Sequence, residues 1–195
     1  MEDIKETKIE IRNDIANTLR AMPAEKVLEK TRTIESRLFD FANFLEAKIA
    51  LLYVGTESEV NSENIIRRAF EYNKIVVLPG FDPEKHEMKL MKVDDPDKDL
   101  NPGPRGVLEP NPARCKVVPI TSIDIAIVPG IALDEKGGRV GTGQGYYDRF
   151  IPKLPITTRK VSLAFEEQII PLVPMESHDK HVDIIITEKR IIYKI

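Results

Sequence analysis

The chain has one cysteine, no tryptophan, and aromatic residues at only 6% of its 195 positions. A single cysteine, Cys115, excludes an internal disulfide, and without a CxxC pair the commonest cysteine zinc sites are excluded too. The thiol is expected to be buried and inert. No apolar run approaches the ~20 residues that span a bilayer. The opening stretch MEDIKETKIEIRND is charged throughout and has no secretory-signal character. Charge of one sign is missing as well. A formal net charge of −3 gives no broad basic surface, so nucleic acid is not an expected partner. No GxSxG or other serine or cysteine nucleophile motif is found. These absences favour a cytoplasmic protein acting on small molecules, as a monomer or weak homodimer.

Apolar periodicity is what the chain does have. It predicts helices over residues 4–20, 24–46 and 61–73. Strands are expected at KIALLYVG (48–55), KIVVLPG (74–80), EMKLMKV (87–93), IDIAIVPG (123–130) and KVSLAF (160–165). VDIIITEKRIIYKI (182–195) supplies one or two more. The proline-, aspartate- and glycine-rich stretch 94–112 reads as a surface excursion. Apolar strands alternating with amphipathic helices predict an α/β fold, with a mostly parallel central sheet between helical layers. Neither a repeat nor a linker divides it, so one domain over 1–195 is expected. Ligands in such sheets bind beyond the carboxyl ends of the strands. Strands ending at Gly55, Gly80 and Gly130 should line that crevice.

RVGTGQGYYDRF (139–150) is the densest candidate for chemistry. Gly141, Gly143 and Gly145 permit positive φ and free backbone N–H groups to converge on an anion. A helix starting at Tyr146 would aim its positive end at the same point, and Arg139 and Arg149 would add charge-assisted bonds. The spacing matches neither the dinucleotide fingerprint nor the P-loop, so a plain tight turn stays open. Asp148 reads either as a carboxylate complementing the helix dipole or as a Mg²⁺ ligand beside the phosphates. On the first helix, Ile4, Ile11, Ile15, Leu19 and Met22 span an arc of about 80°. Lys8 falls inside that arc and Arg12 about 20° beyond it. Both either snorkel to water or reach an anion in a crevice. His178 and His181, in SHDKHVD, lack a third soft ligand, so zinc is not expected. Asp183 is a candidate second oxygen ligand, and Glu59 reads as solvated.

Together these segments resemble the 5-formyltetrahydrofolate cyclo-ligase family. The resemblance runs through KIEIR (8–12), SEVNSENII (58–66), VVLPG (76–80), GVLEP (106–110), VPGIALDEKGGRVGTGQGYYDRF (128–150), LAFEEQI (163–169) and HDKHVDIIITE (178–188). Two positions depart from it: Leu133 stands where the family usually has phenylalanine, and Gln144 where lysine or glycine is common. The resemblance implies a three-layer α/β/α fold and an ATP- and Mg²⁺-dependent ring closure of 5-formyltetrahydrofolate to 5,10-methenyltetrahydrofolate. It implies ATP contacts from Lys8, Arg12 and the segment Arg139, Val140, Gly141, Thr142, Gly143, Gln144, Gly145, Tyr146 and Tyr147. Folate contacts are implied for Val54, Glu59 and Thr142 to Tyr146, with Tyr146 facing the pterin and Tyr147 facing elsewhere. Asp148 and Asp183 are implied as ligands converging on one Mg²⁺. Two alternatives remain at this point: a paralogue that binds nucleotide or folate without cyclising it, and a phosphosugar-binding protein of similar architecture.

Overall fold

The computed structural model of the chain describes residues 2–194. Helices α1 (Glu2–Ala21), α2 (Ala24–Asp40) and α3 (Ala42–Glu46) precede β1 (Ile49–Leu51) and α4 (Glu63–Glu71). Next come β2 (Ile75–Asp82), β3 (Glu87–Val93), α5 (Pro96–Asp99), β4 (Leu100–Pro102), β5 (Leu108–Pro110) and β6 (Lys116–Val117). The remainder is β7 (Ile125–Ile127), β8 (Ala132–Leu133), β9 (Arg139–Val140), α6 (Tyr146–Phe150), β10 (Arg159–Leu163), β11 (Ile184–Ile186) and β12 (Ile191–Tyr193).

Eight strands form the main sheet in the order β12-β11-β10-β7-β1-β2-β3-β6. The five central ones run parallel, while β12, β3 and β6 pair antiparallel with their neighbours. Successive side chains alternate between the faces. Ala50, Leu52, Val76, Leu78, Ile125, Ile127, Ile184 and Ile186 pack with residues of α1 to α4. Leu51, Val77, Ala126, Val128 and Ile185 point the other way, onto Tyr147, Phe150, Ile151 and Leu154 of α6 and the turn after it. The expected three layers are present, but one helical layer is thick and the other is little more than α6.

The helix expected over 24–46 is two helices. Phe41 is extended, with φ −78° and ψ 119°, and this turns its ring into the core beside Phe39 and Phe44. The excursion at 94–112 is an ordered flap. Asp99 accepts from the N–H groups of Asp94 and Asp95 and from Arg114 Nε. Glu109 reaches from β5 to the Phe81 N–H at 3.0 Å, pinning the β4–β5 hairpin to β2. Strands β6, β8 and β9 are two residues each, too short to show a period in the sequence.

Candidate active site

The carboxyl ends of β1, β2 and β7 release the chain into two adjoining cavities. The larger, about 390 Å³, is walled by α1, the glycine turn, the start of α6 and the loop at 176–179. The smaller, about 30 Å³, lies between Val54, Glu59, Pro79, Phe81, Val107, Leu108 and Pro129. Arg105, Arg139, Gly141, Thr142 and Tyr147 belong to both walls.

The glycine turn is built for close approach. Gly143 and Gly145 have φ of 101° and 70°, in the region that only glycine occupies freely. Gly141 has an ordinary φ, but a Cβ there would lie 2.7 Å from Arg139 Nη1. Arg12 Nε donates to the Gly141 carbonyl at 2.7 Å, tying the first helix to the turn. Burial lowers the Arg12 pKa, with Asp179 partly offsetting it. Lys8 is also turned to the cavity rather than along the core. Its Nζ meets Glu176 at 3.1 Å and Asp179 at 2.5 Å. The Lys8 head is thus on carboxylates rather than out in water, and both cations are on the wall of the larger cavity.

Arg139 is nearly sealed, its side chain 2% exposed, and Nη2 pairs with Asp148 Oδ1 at 2.8 Å. Asp148 also accepts from the Lys180 N–H at 3.2 Å. Glu59 is buried rather than solvated. It accepts from Thr56 N–H at 2.8 Å and Thr56 Oγ1 at 3.1 Å. Burial pushes its carboxyl pKa up, and the Thr56 bonds with the charges of Arg105 and Arg139 only partly counter this. Tyr147 shares that low-dielectric region, and its phenol is pushed well above the usual range, first by burial and then by Glu59.

Residues 4–188 match the 5-formyltetrahydrofolate cyclo-ligase family. The chain belongs to that family. A Caenorhabditis elegans protein named as a probable 5-formyltetrahydrofolate cyclo-ligase is 30% identical, the alignment covering 96% of each chain. The mouse 5-formyltetrahydrofolate cyclo-ligase is 25% identical over 95% of each. Among solved structures, the Aquifex aeolicus 5,10-methenyltetrahydrofolate synthetase superposes with a TM-score of 0.83 at 28% identity. That superposition covers 95% of this chain and 92% of the other. A Mycoplasma pneumoniae synthetase shares the fold, with a TM-score of 0.72 at 18% identity over 93% and 98% of the two chains.

Within this cyclo-ligase fold, Lys8, Arg12, Arg139, Val140, Gly141, Thr142, Gly143, Gly145, Tyr146, Tyr147 and Asp148 all line the larger cavity. Val54 and Glu59 line the smaller. Three expectations are corrected. Asp183 does not join Asp148. It stands before β11, at the amino end of the parallel strands, where its Oδ2 pairs with Lys160 Nζ at 2.9 Å and accepts the Lys160 N–H at 3.0 Å. Gln144 lines neither cavity; its side chain reaches them only through Arg105 Nε, at 2.9 Å. The two tyrosines are not divided as expected. Tyr147 lines both cavities and packs edge-on to Phe150, while Tyr146 lines the larger one and leans against Phe81.

Five residues of the larger cavity's wall went unread in the sequence: Lys5 and Ile9 on α1, Arg105, Glu176 and Asp179. Arg105 is hidden in the Pro- and Gly-rich excursion. Glu176 and Asp179 flank His178, and one ligand atom from each of the three lies within 4.8 Å of the others. The acidic pair around SHD was the available signal, but the two histidines drew attention from it. His181 lines a separate cleft with Lys136 and Arg190.

Proposed function

We propose that this family member is an ATP-dependent 5-formyltetrahydrofolate cyclo-ligase, acting as one unit over residues 1–195. The observation that carries the reading is the pair of adjoining cavities with a common wall of arginine, glycine and tyrosine. One substrate is presented to another across such a wall without water between them. The polyphosphate is read into the larger cavity, against Lys8, Arg12, Arg139 and the backbone from Val140 to Tyr147. The formylated ring is read into the smaller, against Val54, Glu59 and Tyr147. At about 30 Å³ that space holds one water, so the hairpin tip at Val107 and Leu108 moves outward to admit a pterin.

The chemistry is a positioning problem. An amide carbonyl oxygen is a weak nucleophile, and its carbon is a weak electrophile. Holding the formyl oxygen in line with the γ-phosphorus and neutralising charge is what the site supplies. That oxygen attacks the phosphorus, and the bond to the β-phosphate oxygen breaks, with ADP keeping the electron pair. N10 of the folate then adds to the activated formyl carbon and loses its proton. Inorganic phosphate leaves with the C–O pair, and the 5,10-methenyl ring is closed. Glu59, whose carboxyl pKa is raised by burial, lines the smaller cavity and is read as holding a ring nitrogen or oxygen of the folate in place.

A magnesium ion is read into the larger cavity. The cavity's hard oxygen donors are Asp148 on α6 and Glu176 and Asp179 on the facing loop. These residues would hold it, and it would neutralise phosphate oxygens as the phosphoryl group departs. With Glu176 and Asp179 on the cation, Lys8 would be free to bind phosphate. The test is growth of methenyl absorbance from purified protein with 5-formyltetrahydrofolate, ATP and Mg²⁺. Omission of any one should abolish the signal. Folded protein that yields no methenyl product in the complete mixture would refute the reading.

A further inference from the structure

The wall between the two cavities holds two guanidinium groups, and they are in opposite states. Arg139 is buried and committed: Nη2 is on Asp148, and Nη1 donates to the Pro129 carbonyl at 3.3 Å. Arg105 has no carboxylate within ion-pair distance among the described residues. It is held only by neutral groups, Gln144 Oε1 at 2.9 Å and Thr142 Oγ1 at 3.3 Å, both contacts exposed. Its guanidinium lies 4.1 Å over the Phe81 ring and 5.5 Å from that of Tyr146.

Such contacts are weak, about 0.5–1 kcal/mol for an exposed cation over a ring. Arg105 also stands at the tip of the β4–β5 hairpin, next to Gly106, whose φ is 76°. An arginine in that position reorients at little cost and carries an unneutralised charge.

We propose that Arg105 is a catalytic residue: it leaves Gln144 and Thr142 and binds the phosphoryl group as it crosses from the nucleotide to the formyl oxygen. This assignment rests on the cyclo-ligase reading. In the transfer, the bond from γ-phosphorus to the β-phosphate oxygen breaks as the bond to the formyl oxygen forms. Charge spreads over the three phosphoryl oxygens between the cavities. Arg105 provides a fork of donors there and exchanges no proton. Arg105 belongs to the wall common to both cavities, where the phosphoryl group lies only in transit, so its contact is made in the transition state more than with either bound substrate. An interaction of that kind raises kcat rather than lowering KM. Arg139, paired with Asp148 and the Pro129 carbonyl, stays in place on the wall of the larger cavity.

Arg105→Ala and Arg105→Lys should be compared with the wild type in the methenyl assay, with ATP and folate binding measured separately on the same proteins. The hairpin tip is at the surface, and both variants should melt with the wild type. Arg105→Ala should lose about 100–1000-fold in kcat, with the dissociation constants for ATP alone and 5-formyltetrahydrofolate alone within about threefold. Arg105→Lys should recover part of the loss, and added guanidinium ion should partly rescue Arg105→Ala. A wild type that turns over beside an Arg105→Ala with unchanged kcat, or with only a raised folate KM, overturns this assignment alone: Arg105 is then a pocket wall. A wild type that makes no product overturns the cyclo-ligase reading, and this assignment with it.

Discussion

Lys8 and Lys30 are the same device in two places. Each is a buried lysine on a long helix, and each is gripped by two carboxylates from distant segments. Lys8 meets Glu176 and Asp179 at 3.1 and 2.5 Å; Lys30 meets Glu167 and Glu188 at 2.5 and 2.7 Å. Burial alone would lower the Lys30 pKa, and its two partners more than reverse this. The difference is what lies beside each cluster. The Lys8 cluster lines the larger cavity, whereas Lys30 is on neither cavity wall. One cluster ties α2 to the ends of β10 and β11. The other ties α1 to a loop while holding its charges where a polyphosphate and a cation would replace them. A buried, paired lysine therefore does not mark a functional site unless open space adjoins it.

Replacing each lysine should separate the two roles. Lys8→Ala should reduce kcat/KM for ATP by about 10–100-fold, the worth of one charge-assisted bond of about 1.5–3 kcal/mol. Its folate dissociation constant should stay near wild type. Arg12→Ala should follow it, losing in addition the tie to Gly141. Lys30→Met should behave in the opposite way. Its partners are part-exposed, so the loss lies between surface and buried pairs, at about 2–3 kcal/mol. Melting should fall by roughly 4–12 °C with steady-state constants unchanged. Equal catalytic losses in Lys8→Ala and Lys30→Met would break the comparison.

Two carboxylates of the cavity walls, Asp179 and Glu59, should answer pH in opposite senses. Burial would raise the Asp179 carboxyl, but the Glu176 N–H and Lys8 more than offset it and hold the pKa below the ordinary range. Its contribution is therefore present above the unfolded value of about 3.9 and is lost as pH falls through the lower folded value. Glu59 is raised by burial, so it opposes folding as pH climbs from about 4.3 through its folded value. Melting curves against pH should show Asp179→Asn losing the drop below about pH 4. Glu59→Gln should lose the decline above it.

The smallest expected effect is at Asp183. Asp183→Asn should leave the Mg²⁺ concentration for half-maximal rate unchanged, because its partner is Lys160. Asp148→Asn should raise that concentration. A shift in Asp183→Asn as large as that in Asp148→Asn would restore the shared-ion arrangement.

What the sequence made legible follows physical scale. The parallel strands were readable because β-branched runs such as IVVL and IAIV are long enough to declare themselves. The break at Phe41 was not, since no glycine or proline marks it and the extended residue is one buried in the core. The glycine turn and its basic neighbours were legible as one cluster, and Lys8, Arg12, Arg139 and the turn do line one cavity. The tyrosine faces were not: α6 has five residues and starts from a left-handed Gly145, so an ideal helical wheel does not orient it. Asp183 misled because sequence motifs carry no register. Only the β10–β11 pairing, with Val161 opposite Ile184, puts Asp183 beside Lys160. Arg105 was hidden in a segment whose composition reads as loop, although that loop folds back on Phe81.

The central claim is that a phosphoryl group passes between two cavities to the formyl oxygen of a reduced folate. It is tested most directly with 5-formyltetrahydrofolate carrying ¹⁸O in the formyl group, by mass analysis of the inorganic phosphate released. The account predicts one ¹⁸O in each phosphate formed, in step with methenyl product. Phosphate released without the label would contradict it, since the formyl oxygen would then have left by another route.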